Sequence, residues 1–120
     1  MRVKTYDADN VFAKIIEGTI KAEKIYEDAQ LLAIKDIQPV APIHILVLTK
    51  GSYIDYGDFV TNAPIEMVKH YFSKIEEIAI MIGLHSTGYR LVTNLGSDSG
   101  QTVFHFHTHI ISGKHLTQLA

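Results

Sequence analysis

The chain has 120 residues, 47% hydrophobic and 20% charged, which fits one domain with a single real core. A net charge of −2 excludes the basic footprint of a nucleic-acid or anionic-membrane binder, and the absence of cysteine excludes disulfides and thiolate metal ligands. No run approaches the roughly eighteen apolar residues of a membrane span, and Met1 to Asp7 holds no signal-peptide core, so a soluble cytoplasmic protein is expected.

Asp9-Asn10 can cap a short helix over Val11 to Ile16 that stops at Gly18. Ala22 to Glu27 and Leu31 to Asp36 flank the turn-sized Asp28-Ala29-Gln30, which predicts a hairpin. Pro39 and Pro42 bracket a bend before a largely buried strand, His44 to Thr49, and residues 50–63 read as loop. Pro64 suits a first helical turn, with Glu66 near the positive end of the dipole. Ile65, Val68, Phe72, Ile75, Ala79 and Ile82 then recur at helical steps, predicting a long amphipathic helix up to Gly83. Tyr89 to Thr93 reads as a strand, Asn94 to Gln101 as a loop, and Thr102 to Ile111 as a long strand. The whole predicts one α+β domain over residues 1–120, a five-stranded, mainly antiparallel sheet with one long and one short helix. His70 is expected on the surface of the long helix, and His85 past its end, where an imidazolium suits the dipole.

His105, His107 and His109 stand at period two, as three of the seven histidines. On an extended strand they share a face, neighbours roughly 7 Å apart and the outer pair roughly 13 Å apart. Phe106 and Thr108 then face the core. Two such imidazoles can reach one zinc, with His44 as a third ligand, but no nearby Asp, Glu or Cys completes a set, so no metal is expected. The favoured reading is nucleophilic catalysis: one imidazole attacks phosphorus or an acyl carbon while its neighbours supply a proton or a hydrogen bond. Leu95 to Thr102, a loop of small residues, runs directly into the row. Gly96 and Gly100 allow turns that aim backbone N–H groups at an anion, which points to phosphate.

The run Gly100-Gln101-Thr102-Val103-Phe104-His105-Phe106-His107-Thr108-His109-Ile110-Ile111 resembles the histidine triad (HIT) signature. Phe12 to Ile16, Ile25 to Asp28, Asp36 to Pro39, Ala41 to His44 and Tyr89 to Asn94 are similar to the Hint branch, the histidine triad nucleotide-binding proteins. The resemblance implies a homodimer that binds a purine nucleotide and hydrolyses nucleoside phosphoramidates such as AMP-NH2 or AMP-lysine, without a cofactor. It implies His107 as nucleophile through a nucleotidyl-histidine, His109 and His105 as flanking members, His44 as a supporting histidine and Thr102 as a hydroxyl near the leaving group. By the same resemblance Asp36 is the ribose carboxylate, and Phe12, Ile15, Ile34 and Ile37 are apolar walls. Asn94, Gly100 and Gln101 are polar contacts near sugar and phosphate. Two other activities stay open: hydrolysis of dinucleoside polyphosphates or acyl-adenylates, and nucleotide-dependent binding of a partner with incidental turnover.

Three features depart from the pattern. Thr49-Lys50-Gly51-Ser52 replaces a Pro-Lys-x-His segment, Thr102 replaces the Ser of many Hint relatives, and residues 112–120 lack the C-terminal Trp. The first removes a secondary histidine, and the other two bear on leaving-group preference.

Overall fold

The computed structural model describes residues 2–119, so Met1 and Ala120 at the ends of the predicted domain lie outside the described residues. The sheet begins as a hairpin. Strands β1 (Lys24–Glu27) and β2 (Leu31–Lys35) are joined by a turn in which the Asp28 carboxylate accepts from the Gln30 and Leu31 amides, at 2.7 and 3.0 Å. Strand β3 (Ile43–Thr49) pairs with β2 and with β5 (His107–Ser112), and the short β4 (Arg90–Val92) closes the far edge. The order is β1-β2-β3-β5-β4, with every pairing antiparallel.

Alternation along β2, β3 and β5 divides the interior into two layers. Leu31, Ala33, Ile45, Val47 and Ile110 face one side, where they meet helices α2 (Tyr56–Asn62) and α3 (Ile65–Met81). Leu32, Ile34, Leu46 and Leu48 face the other, under helix α1 (Val11–Glu17) and its Phe12. Both faces are covered, so β2 and β3 carry near-continuous apolar runs. α1 begins where Asn10 Oδ1 accepts from the Ala13 amide at 2.9 Å, and it ends at Gly18 as expected.

Four expectations need correction. Residues 50–63 are not all loop, because α2 forms there around two anchors. Asp55 caps it by accepting from the Asp58 amide at 2.9 Å, and Phe59 is fully buried against Phe106. The helices therefore number one long and two short among the described residues, with a single 3-10 turn at Ser97–Ser99.

The buried stripe of α3 is Tyr71, Ile75, Ile78 and Ala79; Ile65 is 79% exposed and Phe72 also faces outward. The strand expected from Thr102 begins only at His107, opposite Leu48. β3 ends one residue later at Thr49, opposite Phe106, so residues 102–105 run beyond the end of the partner strand. His70 is not a free surface residue, since its Nε2 lies 2.7 Å from Asp28 Oδ2 and ties α3 to the hairpin turn.

Candidate active site

His107 and His109 point to the α1 side of the sheet, opposite Leu48 and Leu46 in the β3 ladder. Their ring centroids lie 5.1 Å apart. Phe12 from α1 meets the His107 ring edge-on at 4.8 Å and the His105 ring at 6.4 Å. His105 therefore stays beside the other two, although it precedes the strand.

Backbone carbonyls can only accept, which assigns the ring protons. His107 Nδ1 lies 2.7 Å from the His105 carbonyl and donates to it, leaving Nε2 with its lone pair. His105 Nε2 donates to the Thr49 carbonyl at 2.6 Å, so its Nδ1 accepts from the Tyr6 hydroxyl at 2.6 Å. The Val40 amide donates to His44 Nδ1 at 3.1 Å, so His44 holds its proton on Nε2 and gives it to His109 Nδ1 at 2.8 Å. His109 is left with its own proton on Nε2. Three imidazoles of one sequence motif thus hold three different roles, fixed by main-chain groups of other elements.

Burial is the leading cause that keeps these rings neutral. It pushes His105 down to about 4 against the pull of the Thr49 carbonyl, and nearby His107 lowers it further. Burial and the neighbours His107 and His44 bring His109 to about 4, although Asp36 works to raise it. His107 is lowered by the same burial, opposed by the His105 carbonyl and by Asp36.

In front of the rings lies a cavity of about 480 Å³. His107, His109, Thr102, Asn94 and Gly100 line it, as do Phe12, Ile15 and Ile34 on its apolar side. Asp36 reaches it with one carboxylate oxygen held by the Gln38 amide at 2.8 Å and the other 3.3 Å from His44 Nε2. Ile37 also lines it but is 90% exposed, which makes it a rim residue rather than a wall.

Gln101 borders the cavity without offering its amide. Its Oε1 accepts from the Gly96 amide at 2.8 Å, and its Nε2 donates to the Ile54 carbonyl at 3.0 Å. It braces the loop, whose turns at Gly96 and Gly100 both use φ of 82°. His105 and His44 stand behind the cavity, and His85 and His115 lie elsewhere on the exposed surface.

Sequence reasoning assigns no role to several lining residues, among them Ile20, Lys21 and Ala22 just after α1, nor to Tyr6, which joins the histidine network from the N-terminal segment. None of these carries a period or motif that marks it.

The acidic partner that the sequence does not place near the row is supplied by the fold. Ligand atoms of Asp36, His44 and His109 lie within 4.8 Å of one another, close enough for a metal. The chemistry does not fit one. A metal at His44 Nε2 would drive its proton to Nδ1, against the Val40 N–H that already points there.

A family model described as HIT domain matches residues 17–116. The chain belongs to the HIT family. An uncharacterized HIT-like protein of Rickettsia prowazekii is 59% identical over 114 residues, covering 95% of each chain. A solved histidine triad protein from Clostridium difficile superposes with a TM-score of 0.86 at 40% identity, covering 97% of this chain and 100% of that one. A HIT family hydrolase from Legionella pneumophila gives 0.85 at 36% identity, covering 91% and 96%. The α+β architecture with five antiparallel strands is therefore the HIT fold.

Proposed function

We propose that this HIT protein hydrolyses purine nucleoside 5′-phosphoramidates, of the AMP-NH2 or AMP-lysine type, through a covalent intermediate on His107. The observation that carries the reading is the single tautomer of His107, whose Nδ1–H is held by the His105 carbonyl at 2.7 Å while the ring lines the cavity. An imidazole with one nitrogen held as donor and the other bare is an activated nucleophile that needs no separate base. The family's name for its Legionella relative, a hydrolase, agrees with that chemistry.

In the first step His107 Nε2 bonds to phosphorus as the P–N bond to the leaving amine breaks, and the amine takes up one proton. His109 Nε2–H is the donor for the charge that develops on the phosphoryl oxygens. Thr102, exposed on the cavity edge, is the hydroxyl that meets the leaving amine. In the second step water attacks phosphorus, the P–Nε2 bond breaks, and the proton consumed earlier returns to solvent with release of the nucleotide.

Asp36 takes the ribose diol, which a carboxylate accepts with both oxygens. Phe12, Ile15 and Ile34 enclose the base, while Asn94 and the Gly100 turn approach sugar and phosphate. The exposed Ile65 and Phe72 on α3, with the short edge strand β4, are the face on which two copies pair as a homodimer.

Intact-mass spectrometry after brief mixing with AMP-NH2 and acid quench tests the reaction. One added adenylyl group in the wild type, absent in His107→Ala, is the expected result. AMP binding with neither adduct nor AMP release would overturn it in favour of a nucleotide-dependent binding module.

A further inference from the structure

The nucleophile's partner, the His105 carbonyl, lies just before β5. Residues 102–106 belong to no strand, and the main-chain tie there is Phe106 N–H to the Tyr53 carbonyl at 2.7 Å. The His105 ring is gripped at both nitrogens: Thr49 on one side, Tyr6 on the other. The Thr49 carbonyl makes Nε2 the donor, so Tyr6 must give its hydroxyl proton to Nδ1.

That proton has one destination. The Tyr6 oxygen already accepts from Asn10 Nδ2 at 3.1 Å, and the same Asn10 amide donates to the Asp7 carbonyl at 2.8 Å. Asn10 in turn caps α1, whose Phe12 rests on the His107 ring. The segment before residue 17, outside the region that the HIT family model matches, thus reaches the centre of the site.

We propose that Tyr6 is a positioning residue for the His107 nucleophile, acting through the buried His105 ring; this rests on the reading of His107 given above. Without the hydroxyl, Nδ1 of a ring that is 1% exposed has no donor. An unsatisfied buried acceptor is costly, and the ring relieves it by rotating or by exchanging tautomers, which releases the Thr49 carbonyl. Either change moves the His105 carbonyl, and with it the group that keeps the proton on His107 Nδ1. Tyr6 does not line the cavity, so the nucleotide's own contacts remain.

Tyr6→Phe removes the hydroxyl and keeps the aromatic ring, whose centroid lies 5.6 Å from that of His105. The first readout is the ring-nitrogen NMR spectrum of the ligand-free protein, which reports tautomers without any turnover. In the wild type His107 is a single Nδ1–H tautomer and His105 a single Nε2–H tautomer. In Tyr6→Phe the His105 ring no longer gives the pattern of a single Nε2–H tautomer with a hydrogen-bonded Nδ1, and His107 becomes a mixture. The second readout is the rate of nucleotidyl transfer to His107, expected to fall about tenfold, with the Kd for AMP within about twofold.

Arg2→Gln is the control, because Arg2 ties the same segment elsewhere, through two 2.9 Å bonds to Asp55. It should leave both readouts at wild-type values. A His107 that stays a single tautomer in Tyr6→Phe overturns the proposal, as does an equal fall in rate in Arg2→Gln. If the wild type forms no adduct, the phosphoramidase reading fails, and the His107 tautomer alone decides for or against Tyr6.

Discussion

His44 Nε2 and His109 Nδ1 lie 2.8 Å apart, and the proton between them belongs to His44 because the Val40 amide occupies its other nitrogen. His109 is thereby held with its remaining proton on Nε2. Removing the His44 ring lets His109 exchange tautomers and lose that donor for part of the time. His44→Ala should slow nucleotidyl transfer to His107 about thirtyfold, while AMP affinity changes little. His44→Gln, with a side-chain N–H able to reach the same acceptor, should recover part of the rate. Single-turnover quench measurements on both variants check this, and equal rates in the two would remove the donor role from His44.

One oxygen of Asp36 accepts from the Gln38 amide at 2.8 Å, which orients the carboxylate towards the cavity. A ribose diol bound there should make the protein prefer AMP over 2′-deoxy-AMP by about tenfold or more, the worth of one charge-assisted hydrogen bond. Asp36→Asn keeps an oxygen for the Gln38 amide and removes the charge, so the preference should collapse while the fold stays intact. Calorimetric titration with the two nucleotides measures it. An undiminished preference in the variant would move the ribose elsewhere.

Stability should follow the buried histidines. His105 and His109 titrate near 4 in the folded protein and near 6.5 when unfolded, so below 6.5 the unfolded chain binds more protons. Folding free energy is then constant above about pH 7.5 and falls as pH drops from 6.5 towards 4. His105 alone gives a slope approaching about 1.4 kcal/mol per pH unit in that window. His109, more open to the cavity, adds less.

Asp28 acts in a separate, lower window. Burial works to raise its pKa, but the Gln30 amide, His70, the Tyr26 hydroxyl and the Leu31 amide hold it at about 2. Its contribution is present above its unfolded value of 3.8 and is lost only as pH falls from there towards 2. Urea unfolding midpoints between pH 8 and 4.5 should therefore be flat and then decline. A profile flat to 4.5 would mean the histidines are solvated in the native state.

What the sequence discloses about this site is local. The short helix with its Asn10 cap, the hairpin at Asp28 and the His107/His109 face all follow from spacing within a few residues, and each stands where spacing places it. The failures are cases where a distant group decides. α2 is written in weak helix formers, Tyr56-Gly57-Asp58, and exists because Phe59 finds Phe106 and Tyr71. The period-two pattern continues through His105, yet no strand forms there, because the length of β3 limits the ladder. Asp36 joins His44 and His109 only once β2 and β3 are paired, so neither local spacing nor composition could bring it to the row.

The α3 face carries a prediction about assembly. Ile65 and Phe72 are exposed on the side away from the sheet, and Leu91 on the edge strand β4 is exposed as well. Exposed apolar side chains on a helix face and a sheet edge are the groups that a second copy would cover. Sedimentation equilibrium should return twice the chain mass, and Phe72→Glu should shift the protein to monomer by placing a charge in the contact. A wild-type monomer at micromolar concentration would leave this face uncovered.

Behind the catalytic face, Tyr71 links α3 to the strand that carries the histidines. Its hydroxyl donates to the Val47 carbonyl at 2.7 Å and meets Thr108 Oγ1 at 2.9 Å, and Thr108 stands between His107 and His109 on the opposite face of β5. The residue is fully buried, and burial raises its pKa, so it stays a neutral donor throughout the working range. Tyr71→Phe leaves the Val47 carbonyl and the Thr108 hydroxyl short of a partner, at a cost of about 1–3 kcal/mol. For a chain of this size each kcal/mol corresponds to roughly 3–6 °C in Tm. Thermal unfolding should show that loss, while nucleotidyl transfer stays within about threefold of wild type because the β3–β5 ladder, not Tyr71, sets the histidines' positions. A large loss of rate at unchanged Tm would reverse this assignment and make the Tyr71–Thr108 contact part of the site's geometry.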